Sequence, residues 1–262
     1  EPFIADFLHE MKGQATGRLA ITGTMQQPAI DGNVALQNTA FTPVLNQTHY
    51  RMEDATISMT NSRIGLDGIT LFDPKDNTLN VNGHIAHDYY SDFTLNLTAT
   101  TENFQFLNTT PADNEFFYGT VFASGEIRAT GKIYDPLITA DVTSEPGSEI
   151  FIPVVPVDQA MNYPFITYLP IVEEEEAAAG EAGFDVRFNL EVTTDAEVQV
   201  IMNPVTGERL RSRGTGNLFV QMDETGDMSI YGSYIVSEGN YLFILPALEI
   251  VRRDINLEPG SR

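Results

Sequence analysis

Asp92-Phe93-Thr94-Leu95-Asn96-Leu97-Thr98-Ala99 alternates apolar residues on odd positions with polar residues on even ones. Successive side chains of a β-strand point to opposite faces, so this stretch predicts a strand with one buried and one solvated face. A strand buried on both faces, as in an all-parallel sheet, reads as a continuous apolar run instead. The same alternation recurs outward in both directions. It places Leu79 and Val81 before the stretch, and Phe93, Leu95 and Leu97 within it. Further along it places Val186, Phe188 and Leu190, then Val198, Val200 and Met202, then Leu218, Val220 and Met222.

Turn formers separate these runs: Asp73-Pro74-Lys75-Asp76-Asn77, Glu145-Pro146-Gly147, Asn203-Pro204-Val205-Thr206-Gly207 and Asp223-Glu224-Thr225-Gly226-Asp227. The spacing predicts an all-β chain of repeated antiparallel hairpins. Helical spacing is confined to Pro2–Met11, where Phe3 and Phe7, and Ile4, Leu8 and Met11, predict one short N-terminal helix. An internal echo is also present. Gly131 follows Gly23, and Pro136 follows Pro28, by the same 108 residues, within matching strand, Thr-Gly turn, Pro, strand patterns. A repeated unit predicts an elongated sheet stacked along an axis.

One region departs from the alternation. Residues 153–183 contain Pro153, Pro156, Pro164 and Pro170, then Glu173 to Glu176, Ala177 to Ala179 and Gly180. Proline cannot donate to a central ladder, so this predicts an excursion off the sheet that ends in an acidic tip. The chain divides accordingly into a repeated β-segment (1–152), the excursion (153–183) and a second β-segment (184–262). It opens at Glu1 without an initiator Met and stops just after Glu258-Pro259-Gly260-Ser261, which predicts a piece cut from a longer protein, incomplete at its end.

Composition excludes several classes of function. The 262 residues carry 14 Lys plus Arg against 37 Asp plus Glu, a net charge of −23. Such a surface repels nucleic-acid phosphates and anionic head groups. There is no Cys, hence no disulfide and no thiolate metal site, while 16 Phe and 10 Tyr supply the large apolar groups in place of Trp. No run of about eighteen apolar residues predicts a membrane-spanning helix.

No catalytic constellation emerges from the residues, and no cofactor or metal is expected. His84 and His87 have opposite parity and point to opposite faces of a strand. Asp73, Asp76 and Asn77 lack the regular ligand spacing of a calcium loop and read as a β-turn. Glu173 to Glu176 reads as solvated linker. Arg209, Arg211 and Arg213 share one face of a strand, where acidic residues on neighbouring strands are their expected partners. No serine lies in a Gly-x-Ser-x-Gly elbow. What remains is the apolar face itself. Burying Phe93, Leu95 or Leu97 contributes roughly 1.5–3 kcal/mol each. The face serves equally as the interior of a sandwich or as the wall of an open groove that holds an acyl chain or an amphipathic strand.

The C-terminal half carries a family resemblance. Val192-Thr193-Thr194-Asp195-Ala196-Glu197-Val198-Gln199-Val200 leads through Asn203-Pro204-Val205-Thr206-Gly207 to Gly214-Thr215-Gly216-Asn217-Leu218, then Gly226 to Phe243 and Glu258-Pro259-Gly260. This resembles the conserved C-terminal domain of the TamB family, the translocation and assembly module subunit. Tyr50-Arg51-Met52-Glu53-Asp54-Ala55, Gly83-His84-Ile85-Ala86-His87 and Asp113-Asn114-Glu115-Phe116-Phe117-Tyr118-Gly119 resemble versions from Bacteroidetes-type bacteria. The resemblance implies a curved, AsmA-like β-taco with an apolar interior. It implies a non-enzymatic periplasmic role in an inner-membrane-anchored bridge, with membrane contact through parts outside this segment. The implied cargo is phospholipid for outer-membrane biogenesis. The alternative is a scaffold that templates outer-membrane barrel strands with a TamA-like barrel partner. On either view Leu79, Val81, Phe93, Leu95, Leu97, Val186, Phe188, Leu190, Val198, Val200, Leu218, Val220 and Met222 line the groove.

Overall fold

The computed structural model describes residues 8–25, 27–44, 46–114, 117–153, 185–203, 206–222, 228–244 and 252–257. In chain order the first strands are β1 (Leu8–Gly23), β2 (Pro28–Pro43), β3 (Tyr50–Met52), β4 (Ala55–Met59), β5 (Arg63–Gly65), β6 (Ile69–Phe72), β7 (Thr78–Asp88) and β8 (Ser91–Thr109). They are followed by β9 (Tyr118–Lys132), β10 (Asp135–Ser144), β11 (Glu149–Pro153), β12 (Asp185–Val192), β13 (Glu197–Asn203), β14 (Glu208–Met222), β15 (Met228–Ile244) and β16 (Arg252–Leu257). All sixteen belong to one sheet.

The connectivity is simpler than the strand number implies. β3 and β4 lie end to end along β2, and β5 and β6 lie end to end along β7. β10 and β11 do the same along β9, and β12 and β13 along β14. The sheet is therefore a succession of rows in chain order, each row paired with the next. Several rows are interrupted part-way, by a bulge at Asn38 in β2, at Asn103 in β8 and between the end-to-end strands elsewhere. Asn38 and Asn103 take positive φ (51° and 54°), a conformation that Asn tolerates better than most residues.

Two expectations are corrected. The helix over Pro2–Met11 is not formed where it can be seen. Leu8 to Met11 is strand, with Leu8 opposite Pro43 and His9 opposite Thr42, while residues 2–7 lie outside the described residues. A helix of ten residues is marginal by itself, and the ladder offered by β2 satisfies the same backbone groups. The sheet is also not antiparallel throughout. β10 pairs with β12 in parallel, Leu137 opposite Asp185, and β11 pairs with β13 in parallel, Ile150 opposite Val198. β11 ends at Pro153, and β12 begins at Asp185, beside Leu137. At about 3.3 Å per residue this lies roughly 50 Å back along the preceding row. Parallel neighbours need such a long connection, and residues 154–184 supply it. The expected excursion beyond Pro153, with its acidic tip, lies outside the described residues.

The sheet curls toward one face. β3 and β8 are separated by β6 and β7, a gap of about 14 Å on a flat sheet. Even so, the rings of Tyr50 and Phe104 stack at 5.1 Å, and the Tyr50 hydroxyl donates to the Gln105 carbonyl at 3.0 Å. Phe41 and Phe106 pack edge-on against this pair. Beside it Asp73 is fully buried. Its carboxylate accepts from the Gln105, Lys75 and Asn77 backbone N–H groups and from the Asn77 side chain. Both oxygens are thus occupied in a turn, as the β-turn reading predicts.

Candidate functional site

Cross-strand register decides which side chains share a face, because directly paired residues project to the same side. Following the pairs from strand to strand yields continuous apolar ladders. One runs Ile69, Val81, Ala99, Ile127, Ala140, Phe188, Val220, Ile230. A second runs Leu71, Leu79, Thr101, Gly125, Val142, Leu190, Leu218, Gly232, and a third Gly83, Leu97, Ala129, Ile138, Val186, Met222. Leu95 belongs to the same face through Ile85 and Ile64. Val198 and Val200 belong to it through Ile150 and Ile152. Phe93, at the head of β8, packs against the His87 ring at 5.7 Å. The register thus brings twelve of the thirteen predicted residues onto one face of one sheet, and Phe93 shares the parity of Leu95.

Among the described residues that face is only partly enclosed. Leu79, Val81, Leu95, Leu97, Phe188, Leu190 and Leu218 are half-buried, not enclosed. Full burial on this face is local, as at Ile69, Phe104 and Val220. Among the described residues all strands belong to one sheet, and no second sheet is stacked on the ladders. Toward the flanks the face opens further, with Ile21 on β1 at 72 % exposure and Ile230 on β15 at 43 %.

Glycines on this face permit close backbone approach. Gly32, Gly83, Gly119, Gly125 and Gly232 combine φ between 130° and 149° with strand pairing. A Cβ on Gly83 would lie 2.1 Å from the Asn96 carbonyl oxygen, and one on Gly125 2.1 Å from that of Asp141. Only glycine fits there, and glycine kinks of this kind are how sheets acquire curvature.

The opposite face is polar, and it holds a feature that alternation does not reveal. Glu197, only 5 % exposed, accepts two hydrogen bonds from Arg211 at 2.5 and 2.7 Å and a third contact from Arg213 at 3.5 Å. Gln199 bridges Glu197 and Glu149. The Arg211 guanidinium holds the Glu197 carboxyl below the usual carboxylate range, against the opposing effect of burial. Arg211 and Arg213 therefore find the acidic partner expected of them, while Arg209 lies on the same face opposite Ile201 and Leu242. Shared parity hinted at this pairing, but only the register sets Glu197 opposite Arg213.

His84 and His87 are separated as expected. His84 is opposite Asn96, whereas His87 is buried against Tyr90 and accepts its backbone N–H at Nδ1. A shallow depression on the polar face runs past Asp141, Asn189, Glu191, Asn217, Phe219 and Tyr231. Its polar groups are partly spent on one another, Asn189 on Asp141 and Thr143 on Glu191, so it offers less than the apolar face. Among the described residues, no cluster of three or more His, Asp or Glu is arranged to hold a metal, and no helix is long and apolar enough to cross a membrane.

The family model described as the TamB C-terminal domain matches residues 67–261. No curated protein and no solved structure matches the chain.

Proposed function

The chain belongs to the TamB family, an envelope-associated group of non-enzymatic modules for outer-membrane protein assembly and secretion that work with TamA-like partners, and from this premise we propose that its apolar face is a groove that shields apolar cargo. The cargo class that fits is the acyl portion of phospholipids, carried through the periplasm as part of an inner-to-outer membrane bridge. The observation that supports this is the set of largely apolar ladders across the strands, most of whose side chains stay only half-buried, with no second sheet over them among the described residues. An uncovered apolar surface of this extent costs free energy in water unless something occupies it. On this reading the segment 1–152 and the segment 184–262 form one lining, joined through 153–183.

The test is mass spectrometry of lipid that co-purifies with the chain. Leu95→Arg puts a charge on the apolar face, and Asn96→Arg puts the same charge one residue along on the polar face. The expected result is loss of lipid from the first and retention in the second. Equal lipid in both would sink the groove reading.

A second reading has its own support. The family's role in outer-membrane protein assembly favours a scaffold for incoming strands. Photo-crosslinkers at Leu95 separate the readings: lipid adducts support transport, and barrel-protein adducts support assembly.

A further inference from the structure

We propose that the turn between β7 and β8 is a proton-sensitive latch at one rim of the sheet, closed while His87 is neutral and released when its imidazole takes up a second proton. The inference concerns the rim itself and does not depend on what the apolar face carries.

The turn holds an unfavourable backbone shape. Tyr89 and Tyr90 both have positive φ (47° and 62°), a region that bulky side chains rarely occupy. Such residues persist only where surrounding interactions over-determine them. Here those interactions can be named. The Tyr90 hydroxyl donates to the Ile30 carbonyl at 2.9 Å and lies 3.3 Å from the Thr60 carbonyl oxygen. The Tyr90 backbone N–H donates to His87 Nδ1 at 3.1 Å. The Tyr90 ring lies against the imidazole with centroids 4.1 Å apart, and Phe93 packs against it at 5.7 Å. The His87 backbone N–H donates to the Ser62 carbonyl at 2.9 Å, which anchors the ring to β5.

One of these bonds depends on protonation. A neutral imidazole has one N–H and one acceptor nitrogen, whereas the charged ring has two N–H groups and no acceptor. Because Nδ1 accepts from Tyr90, the neutral ring carries its proton on Nε2. That atom is buried and has no hydrogen-bond partner among the described residues. A proton added at Nδ1 sets two donors against each other and removes the bond to the Tyr90 N–H. Half a rotation about Cβ–Cγ does not restore it, since a C–H edge then faces the N–H. The charge also falls on a residue that is only 7 % exposed, where it lacks hydration.

The surrounding charges do not offset this. Asp88 precedes the turn, Asp31 of β2 acts on Tyr90, and Arg63 of β5 lies opposite Ala86. Asp92 of β8 is engaged by Lys132 at 2.6 Å. Burial pushes the imidazole below its ordinary value of 6.5, against the Thr60 carbonyl and Asp88, which favour the charged form. His87 therefore supports the closed turn fully above 6.5 and loses that support as pH falls toward its folded-state value. Release frees Tyr90 from Ile30 and Thr60 and uncovers Phe93 at the head of β8. Acid thus loosens three hairpin ends at one rim together.

The test is hydrogen exchange by NMR on the full chain, with protection corrected for the intrinsic pH dependence of exchange. Each unit of pH below 6.5 favours the opened turn by up to about tenfold. Protection of the Tyr90 amide should therefore fall by about tenfold or more between pH 7.5 and pH 5, while that of Ala99, in the middle of the β7–β8 ladder, holds. In His87→Asn the amide oxygen takes the place of Nδ1 as an acceptor that does not titrate, and Tyr90 protection should stay level over the same range. A long-range proton–nitrogen spectrum of the parent imidazole gives a measurement that needs no variant, with the Nε2–H tautomer expected at pH 7.5. The proposal is overturned if the parent shows the Nδ1–H tautomer, or if Tyr90 protection does not change down to pH 5. It also fails if Ala99 loses protection in parallel, or if His87→Asn shows the same pH dependence as the parent.

Discussion

The Tyr90 hydroxyl lies 2.9 Å from the Ile30 carbonyl oxygen, across sixty residues of chain, and 3.3 Å from that of Thr60. Tyr90 sits in the two-residue turn between β7 and β8, so one side chain ties three hairpin ends together where the sheet bends. Burial and the nearby Asp31 push its phenol up, which keeps it protonated as a donor. Removing the hydroxyl in Tyr90→Phe should lower stability by about 1 kcal/mol in urea unfolding. Its neighbour predicts the opposite sign. Tyr89 and Tyr90 both take positive φ (47° and 62°), the geometry of a turn that favours Asn-Gly. Tyr89 is exposed, so Tyr89→Asn should raise stability by about 0.5 kcal/mol. A loss on Tyr89→Asn would show that its ring has a packing role.

Gly83 and Gly125 should resist substitution. Gly83→Ala and Gly125→Ala each force a Cβ against a carbonyl oxygen at positive φ, and each should cost about 2 kcal/mol or more in urea unfolding. Gly68 also has positive φ (71°), but a Cβ there meets nothing within 4 Å. Gly68→Asn should therefore cost less than about 1 kcal/mol. Equal costs at the three positions would mean that backbone strain, and not close approach on the apolar face, sets the requirement.

Glu197 should make the fold acid-sensitive in a defined window. Its carboxyl titrates below its ordinary value of 4.5, chiefly because Arg211 hydrogen-bonds to the charged form. A depressed carboxylate stabilises the fold above the unfolded-state value and loses that contribution as pH falls through the folded-state value. The Glu197→Gln variant should therefore be less stable than the parent at pH 7. The expected difference is about 1–2 kcal/mol, moderated by the solvent exposure of Arg211. Unfolding curves for the two proteins should converge below pH 4.5. A difference that persists undiminished in acid would assign the effect to shape and not to charge.

The sequence by itself determined which residues share a face. The period of a strand is two, so Leu95 and Leu97 must project together, and the alternation of Val186, Phe188 and Leu190 needs no tertiary information. It also contained the hairpin repeat, since Gly23 and Gly131 mark turns whose conformation is local. The parallel entry of β12 beside β10 was not legible, because an alternating strand reads the same in either direction and the choice depends on where a long connection returns the chain. Nor was the strand at Leu8–Met11, where pairing with β2 overrides helical spacing. The burial of Glu197 needed the register that brings Arg211 and Arg213 alongside it. How far the apolar face is enclosed among the described residues shows only in three dimensions. It depends on the curl accumulated over many rows through bulges and glycines, and no single strand encodes that sum.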